Sequence, residues 1–171
     1  MKKFLLYSIF CIFAASNVNA QKIALIDMDY ILENIPAYQK ANNVLELESQ
    51  QFQKAIEAKM KEAENLYNAY QKNSSTMSAT QRTQKEEAIV AKEKEAMELR
   101  KRYFGPEGEM SKKEEELIAP IQNQIYETIK SISQQKGYDI IIDRASDASM
   151  IYASPRIDIS NEVLARLGYS K

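Results

Sequence analysis

The sequence predicts an α+β protein in which a long antiparallel helical hairpin projects as an arm from a small β-body that one chain leaves incomplete. Three observations carry this reading. Between Pro36 and Gly105 there is no Gly or Pro, and the run consists chiefly of Lys, Glu, Gln, Ala, Met and Leu, which lose little side-chain freedom in a helix. A polar cluster from Asn73 to Thr80 interrupts that run with turn chemistry. Short apolar, strand-like segments stand at the two ends of the chain, too few for a stable independent sheet. Pooling strands between copies is the natural remedy.

Taken in order, the chain of 171 residues opens with Lys2-Lys3, an apolar run from Phe4 to Ala15, and Val18-Asn19-Ala20 before Gln21. That is the three-part plan of a secretory signal peptide over residues 1–20. The apolar run is shorter than the roughly 20 residues a spanning helix needs. Export to a bacterial periplasm is expected, with no stable membrane insertion after cleavage. Cys11, the one cysteine, falls inside this segment, so the mature chain has no thiol to cross-link. Cleavage removes 2 of 23 basic residues and no acidic ones, leaving 21 against 24 and a net charge of −3.

Residues 21–36 are expected to supply the first part of the body. Lys22-Ile23-Ala24-Leu25-Ile26-Asp27 reads as a strand buried on both faces, and Asp29 to Glu33 as a turn of helix. Asn34 is a candidate cap and Pro36 suits the first turn of the arm. The arm is expected over 37–115, with one helix at about 37–72, a turn near 73–80 and a second helix from about 79, running on into the body to about Gln135. Ser78 and Gln81 have the spacing of a capping box. Leu45, Ile56 and Tyr67 recur every eleven residues, as do Phe52 and Ala63, a period that suits a nearly straight helix pair. On the return helix only Ile89, Val90, Met97, Leu99, Tyr103 and Phe104 are large and apolar. So thin a seam belongs to a projecting arm.

Gly105-Pro106-Glu107-Gly108 breaks the second helix, and proline there disrupts a regular helix by about 3 kcal/mol or more. Gly105, Pro106 and Gly108 are candidate hinge residues; a fixed kink is the competing reading. The body is expected to resume over 116–171, where Leu117, Ile118, Ile121, Ile125, Ile129 and Ile132 form a dense helical stripe. Pro120 marks the expected point of entry into the body, and Gly137 a helix end. Strands are expected at 138–143 and 149–153, joined as a hairpin by a turn at 144–148, before Pro155. Ser160 is the expected cap of a final helix at 161–167 that Gly168 closes. Ile23, Leu25, Ile140, Ile142 and Ile151 are the candidate core shared between chains.

Composition excludes most chemistry. The chain has no His, and the mature part no Cys, which removes the common nucleophile–base pairs and zinc ligands. Asp27, Asp29, Asp139, Asp143 and Asp147 could gather near the strand ends, where aspartates ordinarily cap turns. No catalytic residue, metal or cofactor is assigned. Arg100-Lys101-Arg102-Tyr103-Phe104 has the basic-aromatic flavour of a nucleic-acid contact, but Glu93, Glu95 and Glu98 lie just upstream, and a solvated helix face is the better reading. The arm region 37–135 holds 15 basic and 16 acidic residues, so no nucleic-acid partner is expected.

The two ends resemble a known family. Lys22-Ile23-Ala24-Leu25-Ile26-Asp27-Met28-Asp29-Tyr30-Ile31-Leu32 with Ile35-Pro36 is similar to the mature start of the Skp (OmpH-like) periplasmic chaperones. Lys136-Gly137-Tyr138-Asp139-Ile140-Ile141-Ile142-Asp143 resembles that family's end, as do Ile151-Tyr152-Ala153, Ile157-Asp158-Ile159 and Glu162-Val163-Leu164. The order of elements agrees over the whole mature chain. The resemblance implies a homotrimer whose three arms enclose a cavity, and an ATP-independent holdase, not an enzyme, whose partners are unfolded outer-membrane proteins. The near-neutral arm departs from the strongly basic arms of the best-known members, so no lipid site is carried over. Met60, Tyr67, Tyr70, Met77, Met97, Tyr103 and Met110 are the candidate client-binding set, since thioethers and amphipathic rings suit weak contact with many apolar sequences. Singly, each is better read as part of the hairpin seam; the functional reading applies to the set. An envelope spacer or adaptor that offers its arm to one helical partner is the alternative function.

Overall fold

The computed structural model describes residues 21–146 and 150–169; the expected signal peptide and Asp147 lie outside them. Strand β1 (Ile23–Ile26) leads to helix α1 (Met28–Glu33), then to the 38-residue helix α2 (Pro36–Asn73). A 3-10 turn (Ser74–Thr76) reverses the chain into α3 (Ala79–Phe104), and α4 (Glu109–Lys136) follows the break. Strand β2 (Ile140–Asp143), a second 3-10 turn (Pro155–Ile157) and α5 (Ser160–Arg166) complete the order. At 1.5 Å per residue α2 is about 57 Å long, far more than the small body can cover.

The turn forms as its chemistry predicts. The Ser78 side chain accepts from the Gln81 N–H and the Gln81 side chain accepts from the Ser78 N–H, a complete capping box for α3. At the other end of the arm Asn34 does not start α2. It closes α1, its side-chain amide donating to the Tyr30 carbonyl at 2.8 Å. The residue before α2 is Ile35, which offers no capping side chain, and Pro36 in the first turn needs no partner for a missing N–H.

The body core gathers Ala24 and Ile26 from β1, Ile31 and Leu32 from α1, Ile35, Ile125 and Ile132 from α4, and Ile159, Val163 and Leu164 around α5. Ile121 and Ile129 pack against its edge. Ile121, Ile125, Ile129 and Ile132 of the expected stripe therefore face this core, while Leu117 and Ile118 stand outside it. Pro120, expected to mark the entry, sits exposed inside a continuous α4. Gly137 then takes the left-handed conformation (φ 67°) that ends α4.

β1 and β2 pair in parallel, Ile23 opposite Ile140 and Ile26 opposite Asp143. The arm and α4 together form the crossover that a parallel pair requires. The expected third strand is absent: among the described residues of 149–153 none is in a strand, and Ile151 is fully exposed. The far edge of β1 is taken by a different segment. Asp158 bridges Leu25 there, and the Ile159 N–H donates to the Leu25 carbonyl at 2.9 Å.

Ser160 also plays a different part from the expected cap. Its hydroxyl accepts from the Asp27 N–H at 2.8 Å and donates to Asp158 Oδ1 at 2.6 Å, tying α5 to the end of β1. The aspartates of the body cap and pair in the same manner. Asp27 Oδ1 accepts from the Tyr30 N–H, Asp143 Oδ1 from the Met28 N–H, and Asp139 Oδ2 from the Lys22 N–H. Arg144 stands between Asp27 (2.9 Å) and Asp158 (3.5 Å). No cluster of potential metal ligands forms among the described residues.

Candidate functional site

α2 and α3 lie side by side, and the two flanks of this ribbon differ in chemistry. On one flank Lys59, Glu62, Lys92 and Glu95 close a ring of four ion pairs: Lys59–Glu62 3.4 Å, Glu62–Lys92 3.2 Å, Lys92–Glu95 3.0 Å and Glu95–Lys59 3.4 Å. Hydrogen bonds from Lys92 and Lys59 hold the Glu62 carboxyl below its usual range, and those to Glu95 and Glu62 raise the Lys92 ammonium. The ring links the two helices at this register, beside the buried seam of Ile56, Ala63, Ile89 and Ala96.

The other flank is open. Ile56, Met60, Ala63 and Tyr67 of α2 face Ala96, Met97 and Arg100 of α3 across a groove of about 480 Å³, with Glu64 and Glu93 also on its rim. The spacings 56, 60, 63, 67 and 93, 96, 97, 100 are one helical face each. Ile56, Ala63 and Ala96 are buried and make the floor. The two alanines stop at Cβ and so leave the recess empty. Met60, Tyr67 and Met97 stand above it, 51%, 47% and 65% exposed. These three exposed apolar side chains border the groove without filling it.

Of the seven Met and Tyr residues singled out in the sequence, the groove brings together Met60, Tyr67 and Met97. The others lie elsewhere. Tyr70 donates to the Glu86 carboxylate near the hairpin turn, which raises its own pKa. Met77 is half-buried at that turn, and Met110 half-buried in the first turn of α4. Tyr103 belongs to the seam, stacked on Phe52 with ring centroids 4.0 Å apart and Phe104 edge-on to the same ring. Sequence reasoning missed Ala96, Glu93 and Arg100 as groove residues. Small residues on a sparse seam were the available signal, since two alanines facing each other predict a recess.

The break between α3 and α4 is a closed turn. The Gly105 N–H donates to Lys101 O and the Gly108 N–H to Gly105 O, both at 2.9 Å. Arg102 spans the turn to Glu109 at 2.9 Å. Neither glycine has a positive φ; both are needed for room. A Cβ on Gly105 would stand 2.3 Å from the Lys101 carbonyl oxygen, and one on Gly108 within 2.9 Å of three backbone atoms. Of the candidate shared-core residues, Leu25 is buried within its own chain, Ile142 is half-buried, and Ile23, Ile140 and Ile151 are exposed in the single chain.

A small two-stranded body carrying a long hairpin with one apolar flank defines a class of mostly helical, long-armed binding proteins, and no helix among the described residues is long and apolar enough to cross a membrane. The chain belongs to the OmpH-like outer membrane protein family, whose model matches residues 22–167. It is 27% identical over 154 residues to "Chaperone protein Skp" of Yersinia enterocolitica, covering 90% of each chain. It is 29% identical over 146 residues to the protein of the same name from Photorhabdus luminescens, covering 84% of this chain and 87% of that one. A solved structure from Caulobacter crescentus CB15, described as an OmpH-like outer membrane chaperone, shares the fold with a TM-score of 0.65 at 15% identity, over 86% of this chain and 84% of that one. The family is one of chaperones, not enzymes, and membership supports a chaperone role for this chain.

Proposed function

We propose that the mature protein is an ATP-independent holdase of the periplasm, which binds unfolded outer-membrane proteins between the arms of a homotrimer and keeps them from aggregating. The observation that carries this is the open apolar flank of the arm, where Met60, Tyr67 and Met97 stand exposed over an alanine floor. A protein that meets many sequences gains from flexible, polarizable side chains that repack around each. Individually weak contacts then add when several arms engage one chain. The opposite flank, closed by its four-membered charge ring, offers no comparable surface. The spacer reading would need a regular, densely packed seam along the arm; the groove is its opposite.

The test is dilution of a urea-unfolded outer-membrane barrel protein into buffer with the mature chain and no nucleotide, followed by light scattering. Aggregation should fall in proportion to the chain added. Replacing Met60, Tyr67 and Met97 together by Gln should weaken the effect several-fold while the fold survives. Raising salt from about 50 mM to about 500 mM should change client affinity little, because exposed charges are screened beyond about 8 Å even at 0.15 M and the arm is nearly neutral. No suppression by the unmodified chain at severalfold excess rules out the holdase.

A further inference from the structure

The groove has a shape and a charge pattern that select among apolar side chains. Its rim on α3 runs from Glu93 to Arg100, seven residues or about 10 Å, and its rim on α2 from Ile56 to Tyr67, eleven residues or about 16 Å. Successive same-face side chains of an extended peptide are about 7 Å apart. A side chain centred over the alanine floor therefore has its same-face neighbours at or past the ends of the shorter rim. Two thioethers, Met60 and Met97, and one phenol ring, Tyr67, border the recess. At its end stands Arg100, which makes no ion pair among the described residues, whereas Glu64 on the rim is held by Lys61 at 2.8 Å.

We propose that this groove is a subsite for a single aromatic side chain of an unfolded client, bordered by the Met60 and Met97 thioethers and capped by the Arg100 guanidinium. The inference rests on the holdase reading above and narrows it to a class of residue. Sulfur meets an aromatic ring more favourably than an aliphatic group, and an unpaired guanidinium is attracted to a ring face that carries negative charge density. An aliphatic side chain of similar size gains neither. These contacts together correspond to about tenfold in affinity for Phe over Leu. The carboxylates of Glu64 and Glu93 disfavour acidic residues beside the ring.

The experiment uses the full mature chain labelled at its methionine methyl groups and two unstructured, uncharged Gly/Ser peptides of equal length. One carries a single Phe, the other Leu at the same place. The Phe peptide should move the Met60 and Met97 methyl signals upfield in a saturable way, since both lie near a ring face, and bind about tenfold tighter than the Leu peptide. Met97→Gln should remove most of that preference. Arg100→Gln should reduce it about threefold, and Arg100→Lys, which keeps the cation, should restore part of it. Equal affinity for the two peptides overturns the proposal, as do shifts centred on Met77 or Met110. Shifts that grow with chain concentration before any peptide is added would assign the groove to a second copy and overturn it too. The scattering assay runs beside this one: suppression of aggregation without a Phe preference defeats the subsite alone, and loss of suppression defeats the holdase.

Discussion

Asp27 joins three parts of the body through its carboxylate and its backbone N–H. It caps α1, it pairs with Arg144, and its own N–H donates to Ser160. The Tyr30 N–H, and after it Arg144, hold its pKa below the ordinary aspartate value, against the opposing effect of burial. A lowered folded pKa means stability that is complete above the unfolded value, near 4, and is lost as pH falls toward the folded value. Asp27→Ala should therefore destabilise the body at pH 7 by roughly 1 kcal/mol, the usual loss for a helix cap. It should also flatten the decline in stability as pH falls below about 4. Urea unfolding at pH 7 and below about pH 4 checks this, and an unchanged acid decline would assign it to other carboxylates. Sequence reading placed these aspartates at turns, but not the bond to Ser160. A serine one residue before an apolar helical run has the signature of a cap, and only tertiary packing shows that its hydroxyl is committed to β1.

At the scale of elements the arm is the most legible part of the chain. Its turn, capping box and break all follow from local chemistry, because Asn73 to Gln81 and Gly105 to Gly108 determine their conformations largely within themselves. The groove was less so: Met60 and Met97 are separated by the whole turn, and which residues face each other depends on the register at which the ring of Lys59, Glu62, Lys92 and Glu95 links the two helices. The break makes its own prediction. Gly105 and Gly108 have bonded amides, so their exchange should match that of ordinary helix ends, with faster exchange at Glu107 and at the unpaired first-turn amides of α4, Glu109 to Ser111. Uniformly rapid exchange from Phe104 to Met110 would instead describe a mobile hinge. Either glycine changed to Ala meets backbone atoms within 2.9 Å, so these substitutions should rearrange the turn and broaden the same signals.

The whole molecule leaves apolar surface at its body. Ile23 and Ile140 are 39% and 43% exposed, and Ile151 is wholly exposed beside Tyr152. A proposed trimer would cover them, each buried side chain stabilising by roughly 1.5–3 kcal/mol. Ile140→Asp should then yield a monomer with its helices intact, seen by light scattering and circular dichroism. Leu25→Asp should unfold the body outright, because Leu25 is already buried within its own chain. A stable monomer of the unmodified chain would contradict the trimer. The strand count was the part of the body that sequence misjudged. Ile151 and Tyr152 have strand-forming side chains, but propensity alone makes no strand: both are left exposed, and the segment that joins β1 is Asp158 and Ile159.

The parallel pairing of β1 with β2 also dictates an order of events during folding. Lys22 and Asp139 meet across a separation of 117 residues, and β1 has no partner until the chain has travelled out along one helix and back along the next. Helices form in about a microsecond, and a hairpin of two helices needs only local closure. Docking β1 on β2 is entropically hard in an open chain and easier once the hairpin has brought its two ends together. The arm is then an early folding unit and the body a late one. Until residues past Asp143 have emerged, Ile23 to Ile26 remain an unpaired apolar strand, and that interval is when a chaperone of this design is itself most exposed to aggregation.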